Sequence, residues 1–199
     1  MELEERTELD DAGRVRHRFT VLEDLPHGES VLLGEAGQVL RRQQFAGGKL
    51  EGEWTAWDEE GRVSQRGRFQ SGLLEGDLVQ YDLDGRVLAS LPYRAGKLDG
   101  EALYYDAGRF QMKVSYLNGL QDGETAVFGE EGQPTARSSW RMGRLHGPSS
   151  WYRPDGTLLR TAGYAEGELD GDVVDYDERG KAVARVTWRR GRPAGSRKP

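Results

Sequence analysis

Three kinds of side chain in this sequence could do chemistry. The histidines are His17, His27 and His146, far apart in the chain. No two of them share a segment with metal-ligand or general-base spacing, so all three read as structural or solvated. Carboxylates flank a recurring glycine as Glu51 and Glu53, Glu75 and Asp77, Asp99 and Glu101, Asp122 and Glu124, and Asp170 and Asp172. Calcium takes several oxygen ligands and could be drawn to such a ladder. The competing reading is that the acids solvate a sharp connection and discourage pairing between molecules; the dense ligand spacing of a calcium loop is missing, and no metal ligand is assigned. Aromatic and basic residues form the third kind. Alternation along short strands puts Trp54, Leu78, Tyr104, Val127 and Trp151 on one side, with Arg42, Arg66, Lys113, Arg137 and Arg185 expected beside them. These are the residue types that dominate protein interfaces. They could equally form a thin second core, the rings folding onto the arginine stems.

Known catalytic signatures are absent: no G-x-S-x-G, no H-E-x-x-H, no P-loop and no dinucleotide fingerprint. The sequence reads as non-enzymatic, with no cofactor. Without cysteine the fold cannot rest on disulfides, which allows a reducing cytoplasm. The acidic start MELEERTELDDAGR lacks an apolar signal region, and no apolar run reaches membrane-spanning length. The expected location is cytoplasmic.

The elements that must position these residues are announced by glycine. Three rows recur in register, through Gly28, Gly52 and Gly76, through Gly37, Gly61 and Gly85, and through Gly48, Gly72 and Gly96, each continuing to the C-terminus. The interval is 24 residues except for one step of 23, which places a deletion between Gly100 and Gly108. A fixed period of this size marks a repeat architecture in which each unit buries its apolar surface against its neighbours. Within each unit one row follows the first glycine (Trp57, Tyr81, Tyr105, Phe128, Tyr152, Tyr176, with Leu33 in the first copy) and another, aromatic throughout, follows the second (Phe45, Phe69, Tyr93, Tyr116, Trp140, Tyr164, Trp188). Short, glycine-bounded segments with period-two alternation are strands. Val87, Ala89, Leu91 and Tyr93 are expected on one face, as are Phe110, Met112, Val114 and Tyr116. Turns of the type D-E-E-G and D-L-D-G close one end of each hairpin, and L-E-G or L-D-G segments are expected to connect successive units. The reading is all-β: an elongated, single-layer antiparallel meander of seven hairpin repeats over residues 28–195, a degenerate capping repeat over residues 1–27, and a basic tail over residues 196–199.

The pattern seen most fully as GEWTAWDEEGRV…RFQSG resembles the MORN repeat, in the variant spaced near 24 residues that occurs in bacterial proteins often labelled antitoxin components. This resemblance covers Gly28 to Gly195. It implies a targeting, scaffold or interaction module, and as a hypothesis an antitoxin or immunity-type protein that binds and occludes a toxin or secreted effector.

Charge separates the remaining partner classes. The net charge of -6 suits a basic protein partner and disfavours nucleic acid, whose binding rests on phosphate contacts. Residues 1–24 hold eight acids against four arginines, whereas residues 179–199 hold eight basic residues and no acid. That basic end, with Arg185, Arg189, Arg190 and Arg192, reads either as a solvated cap against edge pairing or as a docking site. It supports the alternative function, a peripheral module on anionic lipid, which the net charge makes the weaker one. Homo-oligomerisation through exposed strands stays open.

Overall fold

The computed structural model describes residues 2–197, and every regular element among them is a β-strand. The chain forms two compact units, Met1–Lys97 and Leu98–Pro199. Unit 1 contains β1 (Glu4–Leu9), β2 (Val15–Leu22), β3 (Leu25–Leu33), β4 (Val39–Ala46), β5 (Lys49–Trp57), β6 (Val63–Gln70), β7 (Leu73–Leu74), β8 (Gly76–Tyr81) and β9 (Val87–Arg94). The boundary between units falls within β10 (Lys97–Leu98). Unit 2 contains β11 (Gly100–Asp106), β12 (Arg109–Leu117), β13 (Leu120–Phe128), β14 (Pro134–Arg141), β15 (Arg144–Tyr152), β16 (Leu158–Ala165), β17 (Glu168–Tyr176), β18 (Ala182–Arg189) and β19 (Arg192–Arg197). Inside each unit the strands pair antiparallel with their sequence neighbours, as a meander; β6 pairs with both β7 and β8. The expected basic tail is in part strand, since β19 runs to Arg197; residues 198–199 lie outside the described residues.

Two turn types alternate. One is a two-residue turn such as Ser71-Gly72, with φ of 52° and 87°. Two left-handed residues in succession suit the right-handed twist of the strands they join, and glycine meets the second requirement without strain. The other is built on Asp10, Asp58, Asp82 or Asp177 in four hairpins, with Gly34, Gly129 or Arg153 at that position in three more. Gly61 N–H donates to the Asp58 carbonyl (3.1 Å), and the Asp58 carboxylate accepts from the N–H groups of Glu60 (3.1 Å) and Arg62 (2.8 Å). The deletion between Gly100 and Gly108 converts this second type into the first: β11 and β12 are joined by Ala107-Gly108, with φ of 48° and 78°, and Asp106 pairs directly with Arg109.

The L-E-G segments are not connections. Leu50, Glu51 and Gly52 lie within β5, where Gly52 takes φ 84° opposite Phe69 and kinks the strand. The link to the next hairpin is the tight turn. Each preceding carboxylate caps such a turn: Glu51 accepts from Ser71 N–H (2.7 Å), Glu75 from Ala95 (2.8 Å), Asp99 from Asn118 (3.2 Å) and Asp122 from Met142 (3.0 Å). The turn glycine adds a bond to the same neighbouring strand, as in Gly72 N–H to Leu50 O (2.8 Å) and Gly143 N–H to Gln121 O (2.8 Å). These acids are structural, and the recurring period is a hydrogen-bonding period.

The buried apolar residues are aliphatic and spread along both units: Val21, Val31, Leu33, Leu78 and Ala89 in unit 1, and Ala102, Val114, Ala126, Ala162 and Val174 in unit 2; Ser30 and Ser149 are buried with them. Most large side chains, including the aromatic rows, are half-buried.

Candidate protein-interaction surface

Cross-strand partners share a face of a sheet, so the registers assign every candidate side chain. Trp54 pairs with Gly67, Leu78 with Leu91, Tyr104 with Met112, Val127 with Met112 and Ala136, and Trp151 with Ala136 and Arg160. Within each unit these residues therefore share what we call the apolar face with the second aromatic row, because Gly52 opposes Phe69, Gly76 opposes Tyr93 and Gly123 opposes Trp140. Trp54 stands edge-on to Phe69, with ring centroids 6.3 Å apart at 78°. Leu78, 9% exposed, belongs more to the core than to the surface.

The basic residues lie elsewhere. Arg42 pairs with Val31 and Thr55, Arg66 with Thr55 and Val79, Lys113 with Leu103 and Ala126, Arg137 with Ala126 and Ser150, and Arg185 with Val174. That is the opposite, charged face, so the expectation that aromatic and basic candidates stand together is wrong. The physical cause is a β-bulge in every hairpin. Gln80 pairs with Ala89 but Tyr81 pairs with Val87, leaving Leu88 as the extra residue. Val87 is thereby moved to the face of Tyr81, away from Ala89, Leu91 and Tyr93. Phe110 is moved in the same way, and its ring lies 5.7 Å from that of Tyr105 and 4.9 Å from that of Phe128. The two aromatic rows thus occupy opposite faces, not one.

On the charged face most candidate cations are already engaged. Lys113 bridges Glu101 (3.2 Å) and Glu124 (3.7 Å), Arg137 reaches Glu124 (3.2 Å), Arg185 reaches Asp172 (3.1 Å) and Arg42 reaches Glu29 (3.3 Å). Exposed pairs of this kind contribute little stability, but they neutralise one another. Arg66 makes no such pair. At the C-terminal end Arg189 pairs across the strands with Arg192 and Arg190 occupies the turn between them with φ 47°; all three are exposed.

The apolar face is different in kind. From β5 to β9 its positions are Trp54, Ala56, Gln65, Gly67, Phe69, Leu78, Gln80, Ala89, Leu91 and Tyr93, none of them charged. From β11 to β18 the charged residues at its paired positions are Asp106 and Arg109, beside the Ala107-Gly108 turn, and Arg160 and Asp175; the latter two are joined by a two-point ion pair of 2.5 and 3.0 Å. The Arg160 hydrogen bonds hold the Asp175 carboxyl below the usual aspartate range. Arg160 and Asp175 border a groove of about 450 Å³ whose walls include Trp151, Tyr164, Leu169 and Val173 over Ala162. Nearby, Thr125, Ser138 and Ser149 stand side by side across three strands, and Thr125 Oγ1, Ser149 Oγ and Trp140 Nε1 are buried with no hydrogen-bond partner.

The histidines organise packing. His17 stacks on Phe19 (4.7 Å) and lies between Glu8 (Nδ1 to Oε2, 3.2 Å) and Ser30 (Nε2 to Oγ, 2.8 Å). An acid, an imidazole and a hydroxyl in this order resemble a nucleophile relay. Ser30, however, is 2% exposed and sits mid-strand between Phe19 and Gln43, where no substrate carbonyl can approach. His146 contacts Glu166 (3.4 Å), and the His27 ring accepts from Gly47 N–H (3.4 Å). No group of three His, Cys, Asp or Glu side chains among the described residues is placed to hold a metal ion, and no helix there is long and apolar enough to cross a membrane.

With this geometry in hand, no protein-family profile matches the chain and no curated protein is similar to it. Among solved structures, a match to a chain of the crystal structure of TcdB2-TccC3-Cdc42 covers 93% of this protein at 10% identity and a TM-score of 0.18. The protein spans 14% of that chain's length.

Proposed function

We propose that the protein is a non-enzymatic binding module, built as a MORN-type array of seven hairpin units, whose apolar face grips a protein partner. The observation that carries this reading is the charge-free run of Trp54, Phe69, Leu91 and Tyr93 in unit 1, matched in unit 2 by Tyr104, Met112, Val127, Trp140 and Trp151. Half-buried aromatics that no second layer covers are the anchors from which interfaces draw most of their energy. The partner is a toxin or effector held inactive by occlusion, a step that rests on the MORN resemblance.

The test is capture from native lysate by the intact chain and by a Trp54→Ala, Tyr104→Ala, Trp151→Ala variant of equal circular dichroism. One stoichiometric partner, lost with the variant, is the expected result. Undiminished capture by the variant contradicts the reading. A second reading rests on the exposed Arg189, Arg190 and Arg192, which would favour an anionic lipid surface. Vesicle binding abolished by neutralising those three arginines would support it, and vesicles that do not bind the intact chain would exclude it.

A further inference from the structure

The charged face has a break in its ion-pair ladder. Arg66 on β6 lies between β5 and β8 as Lys113 lies between β11 and β13, with an acid on each flanking strand, Glu53 and Asp77. Lys113 uses both of its acids. Around Arg66 a second cation intrudes, because Arg68 stands directly opposite Glu53 at a position held by Ser115, Ser139 and Thr187 in other hairpins. Among the described residues, the side chains of Glu53, Arg66, Arg68 and Asp77 enter no ion pair or hydrogen bond. All four are exposed. They line an open groove of about 490 Å³ together with Trp57 and Tyr81, and Trp54 of the other face reaches its border.

We infer that this groove binds an extended acidic peptide segment laid along β6, with carboxylates on alternate residues taken by Arg66 and Arg68 and an apolar side chain resting on Trp57 and Tyr81. Alternate residues of a strand are about 7 Å apart, so two guanidinium forks on one strand match two carboxylates in an acid-x-acid segment. Continuing along β6 beyond Arg66, the next paired position on this face is Val63, opposite Trp57. An apolar residue two places beyond the second acid meets that ring. The acids Glu53 and Asp77 border the cationic strand on both sides and disfavour a ligand whose negative charge spreads across strands. Arg66, Arg68, Trp57 and Tyr81 lie opposite the apolar face, with Trp54 alone bordering both surfaces, and the binding inferred here does not depend on the apolar face binding anything.

The experiment is titration of the full chain with a synthetic peptide of sequence TETETLT, followed by tryptophan fluorescence and by calorimetry, against a TQTQTLT control. The acidic peptide is expected to bind, to weaken as salt rises, and to lose at least about tenfold in affinity with Arg66→Gln plus Arg68→Gln. Arg137→Gln and Trp151→Ala leave its binding unchanged. Absence of saturable binding, equal affinity for TQTQTLT, or equal affinity in the double variant overturns the proposal. So does tighter binding of inorganic phosphate or phosphatidylserine vesicles than of the peptide at the same groove.

Discussion

The two faces of these hairpins solve the same problem in opposite ways. On the charged face, polar groups are matched within the molecule: Glu101, Glu124 and Asp172 each meet a cation from the neighbouring strand. On the apolar face, Trp54, Tyr104 and Trp151 are flanked by Gly67, Met112 and Ala136, and the large rings stay half-buried. A surface whose charges are internally neutralised gains little from a partner. A surface of uncovered rings gains much, since each ring removed from water contributes in proportion to its area. This contrast is the ground for proposing recognition by the second surface, and the first keeps one exception, the groove proposed at Arg66 and Arg68.

Substitutions break the comparison in a graded way. The largest effect is expected at Leu78, whose 9% exposure makes it the part of the apolar face that belongs to the core. Leu78→Ala should cost about 2–3 kcal/mol in denaturant unfolding, whereas removing the half-buried Trp151 should weaken partner binding more than stability. Next comes Arg153, which stands where other turns carry aspartate. Its guanidinium donates to the carbonyls of Leu158 (2.8 Å), Asp177 (3.2 Å) and Tyr176, tying two successive turns. Arg153→Ala is expected to cost about 1–2 kcal/mol, with faster amide exchange confined to the turns at Arg153 and Asp177. Smallest is the ladder of the charged face: Glu124→Gln should change stability by less than about 0.5 kcal/mol, measured by the same unfolding assay. A loss of more than a kilocalorie there would mean that the ladder is part of what holds the sheet.

Acid sharpens the same contrast. Asp58 is held below the ordinary aspartate range by its Arg62 side-chain bond, Asp10 by the Arg14 backbone N–H, Asp155 by the Thr157 hydroxyl, and Asp175 by Arg160. A carboxylate with a depressed folded-state pKa stabilises the fold above its unfolded value and loses that contribution as pH falls through the folded one. Stability should therefore hold above roughly pH 4 and decline below it. Asp58→Asn should flatten that decline around the β5–β6 turn, seen by amide exchange at low pH.

Much of this was legible in the sequence, and what was not has a local physical cause. The glycine rows and paired aromatics gave strands, hairpins and turn positions, down to the deletion that became the Ala107-Gly108 turn. Alternation alone could not see the bulge at Leu88, which moves Val87 to the other face, or its counterpart at Gln111, which does the same to Phe110, and a one-residue slip reverses every assignment beyond it. For the same reason Arg66, Lys113, Arg137 and Arg185 were expected beside Trp54. Gly52 is expected in a connection because the L-E-G segment recurs once per unit; its positive φ instead lies within a continuous strand. The signal that could have separated these cases was the spacing of the acids. Each lies 19 or 20 residues before the turn N–H it caps, a distance that makes sense only between adjacent hairpins.

The most direct measurement is hydroxyl-radical footprinting of the captured complex against the free protein, read ring by ring. Protection of Trp54, Tyr104 and Trp151, with Trp57 and Tyr152 as reactive as in the free chain, is the predicted result. Protection of Trp57 and Tyr152 with Trp54 and Trp151 unchanged would place the partner on the charged face and contradict the account.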